Sequence, residues 1–177
     1  MSAHLAIRSE RLLFPRTREL TPDDPVVGKT LLVRSTREPI PARQTLVLTP
    51  IVSASDWLRY EQARIEVEAE FGVGPEEARA MVRAVRDRAG LNLFLADQVG
   101  AIGYFAVNGA ARLQEVDIFP AWRGNGYGDA LLAATLQHLA DRGIETVIIG
   151  ADEDDWPLGW YRRRGFTPIA RVTLSRP

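Results

Sequence analysis

The stretch that most constrains this chain runs from Val116 to Leu132, Val-Asp-Ile-Phe-Pro-Ala-Trp-Arg-Gly-Asn-Gly-Tyr-Gly-Asp-Ala-Leu-Leu. A short apolar run stops at Pro120. A glycine-rich turn carrying Arg123 follows, and a helical pattern begins at once. The order is strand, loop, helix. The first amides of a helix have no intrahelical partner, and the helix dipole adds partial positive charge beside them. A phosphate fits such a place. Gly124, Gly126 and Gly128 let the backbone come close to a ligand and adopt dihedrals that a Cβ would forbid.

Two common phosphate patterns fail. Gly-x-Gly-x-x-Gly breaks at Asp129, where glycine is needed. Gly28-Lys29-Thr30 copies the end of the nucleotide-triphosphate loop, but Asp23 stands at its leading position. What remains is Arg123-x-x-Gly126-x-Gly128 between a strand and a helix. This resembles the pyrophosphate-binding segment of the GCN5-related N-acetyltransferase (GNAT) superfamily. A second stretch, Asp152 to Phe166, adds to the likeness: Tyr161 precedes Gly165-Phe166 by four residues, the family's spacing. Asp154 and Pro157 stand where the family usually has Asn and Ala. From about residue 45 the elements also follow the family's β-α-α-β-β-β-α-β-α-β order. The resemblance implies an α/β (α+β) fold: a mixed, mostly antiparallel central sheet flanked by helices. Residues 44–177 would form the acetyltransferase domain and residues 1–43 an N-terminal arm. A glycine-rich turn without a ligand is the plainer alternative.

Composition narrows the function classes. A chain of 177 residues can bury a real core. A net charge of −1 gives no reason to expect nucleic acid or an anionic membrane as partner. The absence of cysteine excludes disulfides, thiolate metal sites and a cysteine nucleophile. His4 and His138 are too few and too far apart to suggest zinc, so no metal is expected. No run approaches the ~20 apolar residues of a membrane span, and no signal core follows Met1. A cytoplasmic location is the expectation.

Residues 1–43 read as an irregular arm, with short edge strands at Leu5–Phe14 and Thr30–Arg34. Thr45–Thr49 reads as a strand. Ser53 and Asp56 form a capping box for a helix whose buried face would hold Trp57, Tyr60, Val67 and Phe71. Pro75 starts a second helix with Ala78, Met81, Val82, Val85 and Ala89 inward. Strands at Leu91–Ala96 and Ala101–Val107 form a hairpin, and Asn108-Gly109 leads to a third strand at Leu113–Phe119. Leu132, Leu136 and Leu139 mark the buried face of the next helix. Thr146–Gly150 is apolar throughout, as for a strand buried on both faces. A short helix then starts near Pro157.

The resemblance implies acetyl-coenzyme A as cosubstrate and an amine as acceptor. Its diphosphate would take the amides of the loop residues Gly124, Asn125, Gly126, Tyr127, Gly128 and Asp129, with Arg123 shaping the loop or adding charge. The backbone N–H of Ile118 would meet the acetyl carbonyl as an oxyanion forms. Tyr161 would return a proton to the leaving thiolate as general acid. Relatives place a base four or six residues before the Ile118 position, which here holds Gln114 and Arg112. Strand alternation points Glu115 and Asp117 to the other sheet face. A water relay or a carboxylate from Asp152–Asp155 would serve instead. That acidic run, with Trp156 and Trp160, suggests a small cationic amine or a basic side chain, held through Asp154, Asp155 and Trp156. Capping plus a solvated loop is the plainer account of the same residues. The arm and edge strands are compatible with a homodimer. The rival functions are a catalytically silent acyl-coenzyme A sensor or an interaction module.

Overall fold

The computed structural model describes residues 2–174. Its elements are α1 (Ala3–Leu13), β1 (Thr17–Leu20), β2 (Lys29–Ser35), β3 (Leu48–Pro50), α2 (Ala54–Ala69), α3 (Pro75–Arg86), β4 (Leu91–Ala96), β5 (Gly100–Val107), β6 (Ala110–Ile118), α4 (Tyr127–Ala140), β7 (Thr146–Asp152), α5 (Trp156–Arg163) and β8 (Thr167–Leu174). Two compact units divide them. The first takes in the described parts of Met1–Glu38, Ala106–Leu113 and Leu139–Pro177; the second is Pro39–Phe105 with Gln114–His138.

In the first unit the strand order is β1-β8-β2-β7-β6. β2 runs antiparallel to both β7 and β8, and β6 is parallel to β7 from Ala110/Thr146 to Arg112/Ile148. The arm therefore gives one edge strand, β1, and one interior strand, β2. The interior place suits Leu31 and Leu32, both fully buried. Leu5–Phe14, expected as a strand, is helix α1. Its inward residues are Ala6, Ile7, Ser9 and Glu10, a helical spacing, while Leu12 is exposed. Two of those inward residues are polar, so the apolar pattern alone could not show the period. Ala6 and Ile7 pack with Leu31, Ala110, Ile148 and Val172.

Glu10 explains that burial. Its carboxylate receives Arg112 Nε at 3.1 Å and a second Arg112 nitrogen, and Lys29 Nζ lies 3.2 Å away. Arg112 and Glu10 are 1% and 2% exposed. Burial pulls the Glu10 carboxyl up, but Arg112 and Lys29 outweigh it and hold the group below its usual range. The Gly-Lys-Thr tripeptide thus has a structural use: Lys29 serves Glu10 and also sits over the Phe14 ring at 4.7 Å.

A second ion pair fixes the arm's loop. Arg171 of β8 grips Glu153 with two nitrogens, at 2.6 and 2.8 Å. It also donates to the carbonyls of Thr21, Pro22, Asp24 and Val26. Glu153 further accepts from Gly28 N–H at 3.0 Å and Thr30 Oγ1 at 3.1 Å.

In the second unit the order is β6-β5-β4-β3, with β3/β4 and β4/β5 antiparallel. Helix α2 begins on the Ser53/Asp56 capping box, and Pro75 opens α3. Tyr60, Val67, Val82 and Val85 pack against Leu93, Leu95 and Phe119. Three residues expected inside are outside. Phe71 lies past the end of α2 and is 75% exposed, and Met81 and Ala89 face solvent.

Two stability experiments follow from the first unit. Glu10→Gln leaves a buried guanidinium without its counter-charge and should cost about 3–5 kcal/mol in urea unfolding; Glu10→Met with Arg112→Met should recover most of that loss. Glu153 is held at about 2, against 4.5 ordinarily, by Arg171 first and then by Gly28 and Thr30 against a burial penalty. A depressed carboxylate stabilises the fold above its unfolded pKa and loses that effect as pH falls. The gap in urea midpoint between the natural chain and Glu153→Gln should be full at pH 6 and shrink between pH 4.5 and about 2.

Candidate active site

In the second unit, β6 delivers the chain to a 3-10 turn, Pro120–Trp122, and then to the glycine loop at the head of α4. Arg123, Gly124, Asn125 and Gly126 are exposed; Tyr127, Gly128 and Asp129 are half-buried. Gly124 and Gly126 have φ of +77° and +80°, the left-handed region that penalises a Cβ. A Cβ on Gly124 would meet nothing within 4 Å, and one on Gly126 only Gln44 Oε1 at 3.5 Å. The loop's outer side is open. Trp122 meets Tyr127 edge-to-face at 5.6 Å between ring centres, bracing the turn.

Arg123 resolves the choice between shaping and charging the loop. Its Nε donates to the Ile118 carbonyl at 2.7 Å, one terminal nitrogen pairs with Glu70, and the other lies 3.5 Å from Asp117. All three nitrogens have protein partners, so Arg123 shapes the loop. Ile118 is thereby fixed at its carbonyl, and the next amide, Phe119 N–H, donates to Val99 at 2.9 Å.

Glu115 corrects the alternation argument. Its φ is +51°, a value uncommon outside glycine, so counting odd and even positions cannot be carried through it. Glu115 accepts from Tyr60 Oη at 3.2 Å and lies 3.5 Å from Arg88. Asp117 accepts from Arg64 at 2.8 Å, and Arg64 also pairs with Glu68. Burial raises the Asp117 carboxyl, with Arg64 and Arg123 opposing. Burial, followed by the Glu115 charge, pushes the Tyr60 phenol far up. Tyr60, Arg64 and Gln44 carry no motif; only their i, i+4 spacing on α2 tied Tyr60 and Arg64 together in the sequence.

In the first unit, Tyr161 is on α5, 6% exposed. Its ring meets Trp160 at 4.9 Å and Phe166 at 5.3 Å. Burial raises its phenol well above 10, with Arg112 pulling back, so the hydroxyl is protonated at neutral pH. Arg112, at a position where relatives place a base, is committed to Glu10. The acidic run divides. Glu153 is neutralised by Arg171. Asp155 is the N-cap of α5, its Oδ1 accepting from Trp156 N–H at 2.7 Å. Asp152 and Asp154 are exposed, and Trp156 is 72% exposed. Arg164 already lies over Trp160, 4.4 Å from the ring centre. Only part of the expected cation site therefore remains open.

Comparison with known proteins bears on this geometry. A family model described as an acetyltransferase (GNAT) domain matches residues 89–168. A mycothiol acetyltransferase of Streptomyces bingchenggensis is 36% identical over 121 residues, 61% of this chain and 39% of the relative. One of Saccharomonospora viridis is 29% identical over 131 residues, 62% and 43% of the two chains. The chain thus spans less than half the length of these relatives. Among solved structures, a GCN5-related N-acetyltransferase from Sphaerobacter thermophilus superposes with a TM-score of 0.58 at 21% identity, over 96% of this chain and 54% of that one. A GNAT-family acetyltransferase from Colwellia psychrerythraea gives 0.59 at 15%, over 83% and 55%. The matched family segment takes in the glycine loop, the strand before it and the Tyr161 helix, so nearly half of this chain is similar to a GNAT acetyltransferase domain, and the solved acetyltransferases share its fold.

Proposed function

We propose that this chain transfers an acetyl group from acetyl-coenzyme A to the nitrogen of a small cationic amine by direct attack. The observation that carries the reading is the exposed loop at the head of α4, with two glycines in the left-handed region, open space outside Gly124 and only Gln44 beside Gly126. Backbone amides there suit a diphosphate better than any single side chain, because several donors converge with the helix dipole. Arg123 keeps the loop in register with the end of β6.

The chemistry then asks for three things. The Ile118 N–H would hold the acetyl oxygen as negative charge develops on it. Tyr161 would give its proton to the departing thiolate. The acceptor must lose a proton before attack, since an ordinary ammonium has a pKa of about 10. Glu115 is our candidate for that step: Tyr60 orients its carboxylate, and its side chain keeps 14% exposure. Asp154, Asp155 and Trp156 would favour a cationic acceptor, though Asp155 is partly occupied by its cap. The mycothiol acetyltransferases give a precedent for acetyl transfer in chains that match this one over about two fifths of their length.

A second reading, a silent acyl-coenzyme A-binding module, draws support from Arg88 and Arg64, which already pair with the strand carboxylates Glu115 and Asp117. Calorimetry combined with thiol release across a panel of amines separates the two. The transferase reading expects both binding and release; binding without release with any amine would favour the module, and no heat with acetyl-coenzyme A would sink both. Gly124→Val should raise the Kd for acetyl-coenzyme A about tenfold, from the cost of a branched residue in the left-handed region. Tyr161→Phe should lower kcat about a hundredfold with Kd nearly unchanged; equal loss in both would remove its acid role.

A further inference from the structure

Two carbonyls of the loop precede its left-handed glycines, and each is held by a side-chain amide. Asn125 Nδ2 donates to the Arg123 carbonyl at 2.9 Å. Gln44 Nε2 donates to the Asn125 carbonyl, also at 2.9 Å. Neither peptide is cis. In a trans peptide the C=O and the following N–H point in opposite directions within one plane. Drawing the Arg123 carbonyl to one side turns Gly124 N–H to the other. Drawing the Asn125 carbonyl onto Gln44 turns Gly126 N–H away from Gln44. A carbonyl oxygen facing a phosphate would repel it, and this arrangement sets two such oxygens aside.

Asn125 belongs to the glycine loop. Gln44 is 81 residues earlier and outside the segment matched to the family. Its other amide atom is informative. Among the described residues, Gln44 Oε1 is buried and accepts no hydrogen bond. A buried acceptor left unmet is costly, and rotating the amide would only set oxygen against the Asn125 carbonyl. The hydrogen bond to the loop fixes which way the amide faces.

We propose that Gln44 is a positioning residue for the cosubstrate diphosphate: it keeps the Asn125 carbonyl out of the anion cradle and so presents the Gly126 amide. This rests on the acetyl-coenzyme A reading above. The test compares acetyl-coenzyme A with acetyl-pantetheine, which carries the same thioester without the diphosphate. Gln44→Met, similar in size but without a donor, should raise the KM and Kd for acetyl-coenzyme A about three- to tenfold and leave the KM for acetyl-pantetheine where it was. Gln44→Glu should raise the former further, and more so at low salt, because it sets a carboxylate beside the cradle. If Gln44→Met fails to fold by circular dichroism, Gln44→Asn, too short to reach the loop, serves the same comparison. Natural-like acetyl-coenzyme A affinity in the folded variant, or an equal rise for acetyl-pantetheine, overturns the role of Gln44. A natural chain that binds acetyl-coenzyme A no better than acetyl-pantetheine overturns the diphosphate cradle itself, and Gln44 with it.

Discussion

The contact on which the candidate site depends is the one between Arg123 and the end of β6. A glycine loop is free to take many shapes, and that freedom is a cost when a defined anion site is needed. Arg123 removes much of it. Its guanidinium is planar and presents donors in a fixed fork, here directed to the Ile118 carbonyl, Glu70 and Asp117. Strand end, loop and the exit of α2 are tied to one rigid group. The arginine of the motif therefore works mainly on the protein.

The first unit uses charge differently. Glu10, Arg112 and Lys29 are brought together from α1, β6 and β2, and the Glu10–Arg112 pair is shielded from water while Lys29 is partly exposed. Such a cluster is weak evidence of stability compared with an apolar core of equal volume, since desolvation offsets most of the attraction. It is strong evidence of register. Arg112 finds its partner only when β6 and α1 are placed as they are, and a slip of one residue on β6 would strand the charge.

That difference explains what could be read from the sequence. Local signals carried through: the Ser53/Asp56 box, Pro75 at the first turn of α3, Asn108-Gly109 with both residues at positive φ, and the Leu132/Leu136/Leu139 stripe. Each depends on neighbours within a turn or two. The failures depend on distant partners. α1 was hidden because Ser9 and Glu10 lie inward, and Glu10 can do so only with Arg112, 102 residues away. β2 became interior because β7 and β8 pair on both of its sides. Glu115 broke the alternation through a left-handed residue that no glycine announced. In the candidate site the loop was legible and its support was not, since neither Gln44 nor Glu70 carries a pattern.

The acidic run Asp152–Asp155 shows how a count of charges differs from a field. Four carboxylates in a row suggest a strong attraction for a cation. Glu153 is matched by Arg171 at hydrogen-bond distance, which cancels its long-range effect, and Asp155 is turned to a helix amide. Asp152 and Asp154 are exposed, where salt screens their charge. Electrostatics at this loop then favours encounter with cations more than tight holding of one.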